Sequence, residues 1–266
     1  DPSKSRGLGD VYKRQTSGEL EQPGHGLMSG ANDAPRQLIV LGDSGVHGWG
    51  DREAGGWCQR LRLRWMNLPS APVVYPLGIR GDGLERVAAR WRSEWSCRGE
   101  LRRQTPCGLL LSVGLNDTAR VGRIDGRPQL DVEAFSFGLG QLLNEMTQEL
   151  QVFVLGLTAV DEHVMPFAGC LWYSNSQIAA TEAVMAEQCR EADVPFLSMH
   201  QEMQEVPDWL TWMEPDGIHL NADGHRWLDQ RLSQWAPLQE WAGLAVVNTS
   251  TPISMQTKPA AATNVW

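Results

Sequence analysis

The sequence has no excess of positive charge, no long apolar run, no paired cysteines and none of the common phosphate-binding glycine signatures. Its 23 lysines and arginines face 32 aspartates and glutamates, a formal net charge of −9 over 266 residues. Nucleic-acid binders present a basic face, so this balance argues against a nucleic-acid partner and disfavours an anionic membrane surface. No run reaches the roughly 18 apolar residues that a spanning helix needs, so membrane insertion is not expected. The five cysteines, Cys58, Cys97, Cys107, Cys170 and Cys189, are dispersed without a CxxC. That spacing fits neither a zinc site nor a disulfide frame and reads as reduced thiols of a cytoplasmic chain. No cluster of His, Asp or Glu has metal-ligand spacing, so no metal or cofactor is expected. A P-loop needs a lysine after its second glycine, which the glycine-rich stretch after Ile39 lacks. "GWGDRE" and "GDGLER" lack the third glycine of a dinucleotide fingerprint. The GxSxG elbow fails because Val46 stands two residues after Ser44. The N-terminus shows no basic start followed by an apolar run and a small-residue cleavage site.

What is present is the composition of a soluble globular protein, 42% hydrophobic and 21% charged, long enough for one domain with a substantial core. Residues 1–35 are expected to be a leader. Its first stretch, "DPSKSRGLGDVYKRQ", looks foreign to the fold, and Met28 reads as the native start. The domain is expected over 36–236, followed by a mostly disordered tail over 237–266, rich in Thr, Ser, Ala and Pro. Five apolar runs predict buried strands at 37–42, 72–77, 108–113, 151–157 and 194–198. Between them, apolar residues at helical spacing predict helices over 57–68, 83–95, 135–150, 171–192 and 222–235. Most of the twelve tryptophans are expected in the core or a pocket wall. Strands alternating with helices predict a parallel sheet covered on both faces. The fold class is therefore α/β, a flavodoxin-like three-layer α/β/α sandwich with a five-stranded parallel sheet in the expected order 2-1-3-4-5.

Ser44, in "LGDSG", falls just past the first strand. Ligands of open α/β sheets sit at that carboxyl edge. By itself "GDSG" also fits a plain strand-ending turn, since Gly, Asp and Ser are ordinary turn residues. A serine nucleophile needs a base, an orienter for the base, and donors for the oxyanion. "EPDGIHLNADGH" supplies Asp216 and His219, a spacing that lets the carboxylate hold one imidazole nitrogen while the other faces Ser44. "LSVGLNDTAR" supplies Asn116 after the third strand, and "YPLGIRGDG" supplies Gly78 after the second. All of these fall at one edge of a parallel sheet.

These blocks, in this order, resemble the SGNH or GDSL family of serine hydrolases. The first block is Gly42-Asp43-Ser44, with Gly45 where the family name has leucine. The second is carried by Gly78, the third is Gly114-Leu115-Asn116-Asp117, and the last is Asp216-Gly217-Ile218-His219. The resemblance runs from about Gln37 to Leu232, and Leu77 stands where members often have asparagine. It implies ester hydrolysis through an acyl-enzyme, with Ser44 as nucleophile, His219 as base and Asp216 as its orienter. The oxyanion hole would be the backbone N–H of Ser44 and of Gly78 with the side-chain amide of Asn116. Residues 158–172 follow the fourth strand, so Met165, Phe167 and Trp172 are candidates for an apolar pocket wall, as are Trp49 and Trp57 beside the glycine loop. Simple packing explains all five equally well. His47 is a candidate for the pocket mouth or plain solvent exposure, and Asp43 and Asp117 for holding loop amides, Asp43 at the pocket wall. The expected substrate is a small or short-acyl ester. The alternatives are a carbohydrate O-deacetylase, a lysophospholipase or thioesterase of the same fold, or a binding protein that keeps the fold without turnover.

Overall fold

The computed structural model describes residues 36–98 and 107–244. The expected leader and the last part of the expected tail lie outside the described residues. In chain order the described elements are β1 (Gln37–Gly42), α1 (Ser44–His47), α2 (Trp57–Met66), β2 (Val73–Gly78), α3 (Leu84–Ser96), β3 (Cys107–Ser112), α4 (Leu115–Thr118), β4 (Arg120–Val121), α5 (Val132–Thr147), β5 (Gln151–Leu155), β6 (Leu171–Trp172), α6 (Asn175–Glu191), β7 (Phe196–Leu197), α7 (His200–Glu205), α8 (Ala222–Gln234) and α9 (Ala236–Ala242). β1, β2, β3, β5 and β7 form one parallel sheet in the order β2-β1-β3-β5-β7. Counted within that sheet, this is the expected order 2-1-3-4-5. The chain leaves β1 for β2 on one side and returns to β3 on the other. A crevice therefore opens at the carboxyl ends of β1 and β3.

The near-continuous apolar runs are explained by a sheet buried on both faces. Side chains alternate along a strand, and each strand splits between two cores accordingly. Leu38 and Val40 of β1, Leu110 of β3, and Phe153 and Leu155 of β5 pack with Trp57, Leu61 and Trp65 of α2 and with Leu228 and Leu232 of α8. Ile39, Leu41, Leu109, Leu111, Val152 and Val154 face the other way, onto Val87 and Trp91 of α3, Leu139 and Leu143 of α5, and Ile178 and Met185 of α6. Burial of one such side chain stabilises the fold by about 1.5–3 kcal/mol.

Two expectations about local structure are corrected. Residues 171–192 are not one helix: Leu171 and Trp172 pair antiparallel with Val121 and Arg120 as a small second sheet. α6 starts only after Ser174, whose side chain accepts the Gln177 N–H. The folded domain also runs past the expected edge at 236. α9 carries a proline in its first turn, where no N–H is needed, and buries Leu238 and Ala242. Trp241 adds an edge-on contact to Phe153 at 5.7 Å. "PLQEWAGL" is too short to show helical periodicity beside a low-complexity tail.

Candidate active site

β1 ends in a tight turn built around Asp43. Its side chain accepts the Gly45 N–H at 2.8 Å, and its carbonyl accepts the His47 N–H at 3.0 Å. Ser44 is thereby held at the start of α1, with its Oγ 2.9 Å from His219 Nε2. His219 comes from the loop before α8, where Asn221 caps the helix by accepting the Asp223 and Gly224 N–H groups. Its Nδ1 lies 2.7 Å from Asp216 Oδ2. The other carboxylate oxygen accepts the N–H groups of Ile218 and His219, each at 3.1 Å. One carboxylate thus fixes both the loop and the ring. Partial burial pushes the Asp216 carboxyl up, but the hydrogen bonds from His219 and Ile218 outweigh it and hold the group below its ordinary value. An ionised carboxylate can only accept, so Nδ1 carries the imidazole proton and Nε2 is free to accept from the Ser44 hydroxyl.

Asn116 sits on α4, just past the carboxyl end of β3. Its amide nitrogen donates to the Asp82 carbonyl at 3.0 Å and to Asp43 Oδ2 at 3.2 Å. The Tyr173 hydroxyl reaches its Oδ1 at 3.5 Å. Burial raises the Asp43 carboxyl to about 6, against the opposing pull of the Gly45 N–H. Asp117 is raised to about 6 by the same cause. It accepts the first N–H of α3, that of Leu84, with both oxygens at 3.1 Å. Asp43 thus holds the turn that carries Ser44, and Asp117 holds the first turn of α3.

Gly78, the expected second oxyanion donor, is not placed for that task. It ends the edge strand β2, opposite Gly42. The next residue, Ile79, donates its N–H to the Gly42 carbonyl at 3.0 Å. N–H groups alternate sides along a strand, so that of Gly78 points outward from the sheet, away from Ser44. Glycine is required there for space: a Cβ would lie 2.1 Å from the His47 nitrogen and 2.5 Å from the Asp43 carbonyl oxygen. The glycine at the open rim is Gly81. Its φ is +79°, and nothing lies within 4 Å of where its Cβ would be. Its N–H has no acceptor among the described residues, and its neighbour Asp82 shares the carbonyl that Asn116 holds.

Arg90 of α3 locks this loop. Its Nε donates to Asp82 Oδ2 at 2.9 Å, while Nη2 donates to the carbonyls of Gly42 and Leu77 at 2.9 and 3.0 Å. "RGDGLER", which contains Gly81, shows only a failed dinucleotide fingerprint in the sequence, so nothing there singles out Gly81 or a clamping arginine.

A cavity of about 50 Å³ lies beside Ser44 and His219. Asp43, Trp49 and Trp57 line it, as do Leu155, Thr158 and Leu228 from β5, the loop after it, and α8. The other proposed wall residues fall elsewhere. Phe167 flanks the His219 ring edge-on at 6.0 Å between centroids. Met165 packs behind the turn at Gly217. Trp172 is taken up in the β4–β6 pair, and His47 is exposed on α1. Neither lines the cavity. His225 is buried as part of the wall: its Nδ1 accepts the Trp57 N–H at 3.1 Å, and its Nε2 lies 3.1 Å from the Trp49 carbonyl. Burial lowers its tendency to take a second proton.

Fold and site together define a three-layer α/β protein with a Ser-His-Asp hydrogen-bonded chain at the carboxyl edge of its sheet. The profile of the GDSL-like Lipase/Acylhydrolase family matches residues 40–227. The chain belongs to that family. It is 26% identical over 202 residues to Thioesterase 1/protease 1/lysophospholipase L1 of Escherichia coli strain K12, covering 76% of this chain and 84% of that protein. The solved lipase/acylhydrolase of Enterococcus faecalis superposes with a TM-score of 0.60 at 20% identity, over 80% of this chain and 100% of the other. An acetyl xylan esterase of Geobacillus stearothermophilus superposes with a TM-score of 0.55 at 14% identity, over 80% and 97%. These two likenesses speak to the fold.

Proposed function

We propose that this chain hydrolyses small, short-acyl carboxylic esters through an acyl-enzyme on Ser44. The observation that carries the reading is the chain of contacts from Ser44 Oγ through both nitrogens of His219 to Asp216, at 2.9 and 2.7 Å. Ser44 Oγ attacks the ester carbonyl as its proton passes to His219 Nε2, and Asp216 stabilises the imidazolium. The imidazolium then protonates the departing alcohol. Water repeats the sequence on the acyl-enzyme, with His219 again taking the proton. The carbonyl oxygen gains negative charge at each addition. Its donors are the N–H of Ser44, which opens a helix and so has no acceptor within it, the N–H of Gly81, and the amide of Asn116. To serve, Asn116 exchanges its 3.2 Å contact with Asp43 for the oxyanion. Asn116→Ala is expected to lower kcat by about 10²–10³ with little change in KM, because such a donor acts mainly in the transition state. Steady-state kinetics that put the loss in KM instead would remove Asn116 from the oxyanion hole.

The short-acyl part rests on the cavity. On a scale where one water needs about 10–15 Å³, the roughly 50 Å³ beside the nucleophile takes a few water-sized groups, which supports a short acyl chain. This supports the ester and O-deacetylase readings over the long-acyl thioesterase and lysophospholipase readings that the Escherichia coli relative's name brings to mind. A series of 4-nitrophenyl esters from acetyl to octanoyl tests it. kcat/KM is expected to fall at least about tenfold beyond butyryl, and a flat or rising profile would refute the short-acyl assignment. Comparing acetyl xylan with 4-nitrophenyl butyrate separates a sugar deacetylase from a general esterase.

A further inference from the structure

The rim of the site carries a cation whose donors have no partner among the described residues. Trp49 lines the cavity beside Ser44 and lies 6.1 Å from the His219 ring, centroid to centroid. It is 40% exposed. Over it, Arg80 Cζ lies 3.5 Å from the ring centroid. Arg80 immediately precedes Gly81, on the loop that Arg90 and Asp82 hold in place. Among the described residues, no carboxylate lies within ion-pair distance of Arg80, and its guanidinium makes no hydrogen bond. The neighbouring surface arginine differs: Arg52 reaches Glu214 at 3.5 Å. Arg92 also lies on a tryptophan, but it is paired with Glu149 at 2.9 Å, on the outer surface of α3. A guanidinium set over an indole face at that distance leaves its N–H groups free to take a carboxylate or phosphate.

We infer that Arg80 is a specificity-determining residue that recognises an anionic group, carboxylate or phosphate, carried by the ester close to its scissile bond. This deepens the ester-hydrolase reading and rests on it. The anion belongs to the acyl half or to the alcohol half of the substrate, and two matched pairs distinguish these sources. The first is ethyl hydrogen succinate with ethyl succinamate, both within the short-acyl range. The second is 4-acetoxybenzoate with 4-acetoxybenzamide. In at least one pair the charged member is expected to be preferred, and added salt should erode that preference. Arg80→Gln should lower the charged-to-neutral ratio of kcat/KM about fivefold, mainly through KM, with Arg80→Lys keeping part of it. A ratio unmoved by Arg80→Gln in both pairs overturns the inference. So does an equal loss on charged and neutral members, which would mean that Arg80 only shapes the loop. Calorimetric binding of the charged member of the pair that shows the preference to Ser44→Ala protein, with and without Arg80→Gln, reads the anion site without turnover. Weaker binding in the double variant supports the inference, and unchanged binding overturns it. Failure of the wild type to cleave any member of either pair tells instead against the hydrolase reading.

Discussion

Ser44→Ala is expected to reduce kcat on 4-nitrophenyl acetate by about 10⁴–10⁶ while leaving the melting temperature close to that of the wild type. The first half follows from chemistry. Without Oγ there is no covalent intermediate, and the imidazole at 2.9 Å has no proton to take from a nucleophile. What remains is binding and whatever the oxyanion donors give to direct attack by water, the residual seen when one member of such a triad is lost. The second half follows from structure. The turn at Ser44 is held by the side chain and carbonyl of Asp43, not by the serine hydroxyl. Removing one partly buried hydroxyl whose partner is an imidazole costs about 1 kcal/mol or less. A fluorophosphonate probe gives the same answer covalently, with label on the wild type and none on the variant. An unlabelled wild type would favour a binding protein that keeps the fold without turnover. A variant that retained most of its kcat would refute the acyl-enzyme outright.

Gly78→Ala is expected to have the largest effect on stability, about 3 kcal/mol or more, or roughly 6–12 °C in Tm for a domain of this size. The added methyl would sit 2.1 Å from the His47 nitrogen and 2.5 Å from the Asp43 carbonyl oxygen. Both are backbone atoms of the turn that carries Ser44, and backbone cannot step aside as a flexible side chain can. α1 must shift, the 2.9 Å contact with His219 is lost, and activity falls along with stability. Gly81→Ala is the contrasting case. Its Cβ enters open space, and the expected penalty is the strain of φ +79°, about 1–2 kcal/mol. Its main effect is expected in kcat, since relief of that strain turns the N–H away from the oxyanion. Thermal melts and kcat for the two variants, measured together, separate a packing glycine from a donor glycine. A Gly78→Ala protein with wild-type Tm and a collapsed kcat would return the donor role to Gly78.

The pattern of success and error in the second block has a physical origin. Apolar runs and their alternation along the chain report which strands are buried on both faces, and the sheet of β1, β2, β3, β5 and β7 follows from them. The spacing of Asp216 and His219 is local, three residues within one turn, so the carboxylate–imidazole bond at 2.7 Å was legible in "DGIH". "PLGIRGDG" offers three glycines, and choosing between them depends on which way each N–H and each missing Cβ points. That is decided by the last rung of the β1–β2 ladder, where Ile79 bonds Gly42. Trp172 and the edge of the domain at 236 misled for a related reason. Two residues of strand and seven of helix are too short to show periodicity, and partners distant in sequence hold them in place: Arg120 opposite Trp172, and Phe153 against Trp241.

The sequence alone carried the α/β class through its periodicity, the strand order and the candidate serine through the resemblance of its blocks, and the Asp216–His219 pairing through a contact within a single turn. The tertiary structure alone decided which glycine is left open at the rim, how much room lies beside Ser44, and where Arg80 comes to rest. Each of these is set by the approach of segments far apart in the chain, Arg90 against the Gly42 carbonyl, β5 against α8, and Trp49 beneath a guanidinium, and no local pattern of residues encodes those distances.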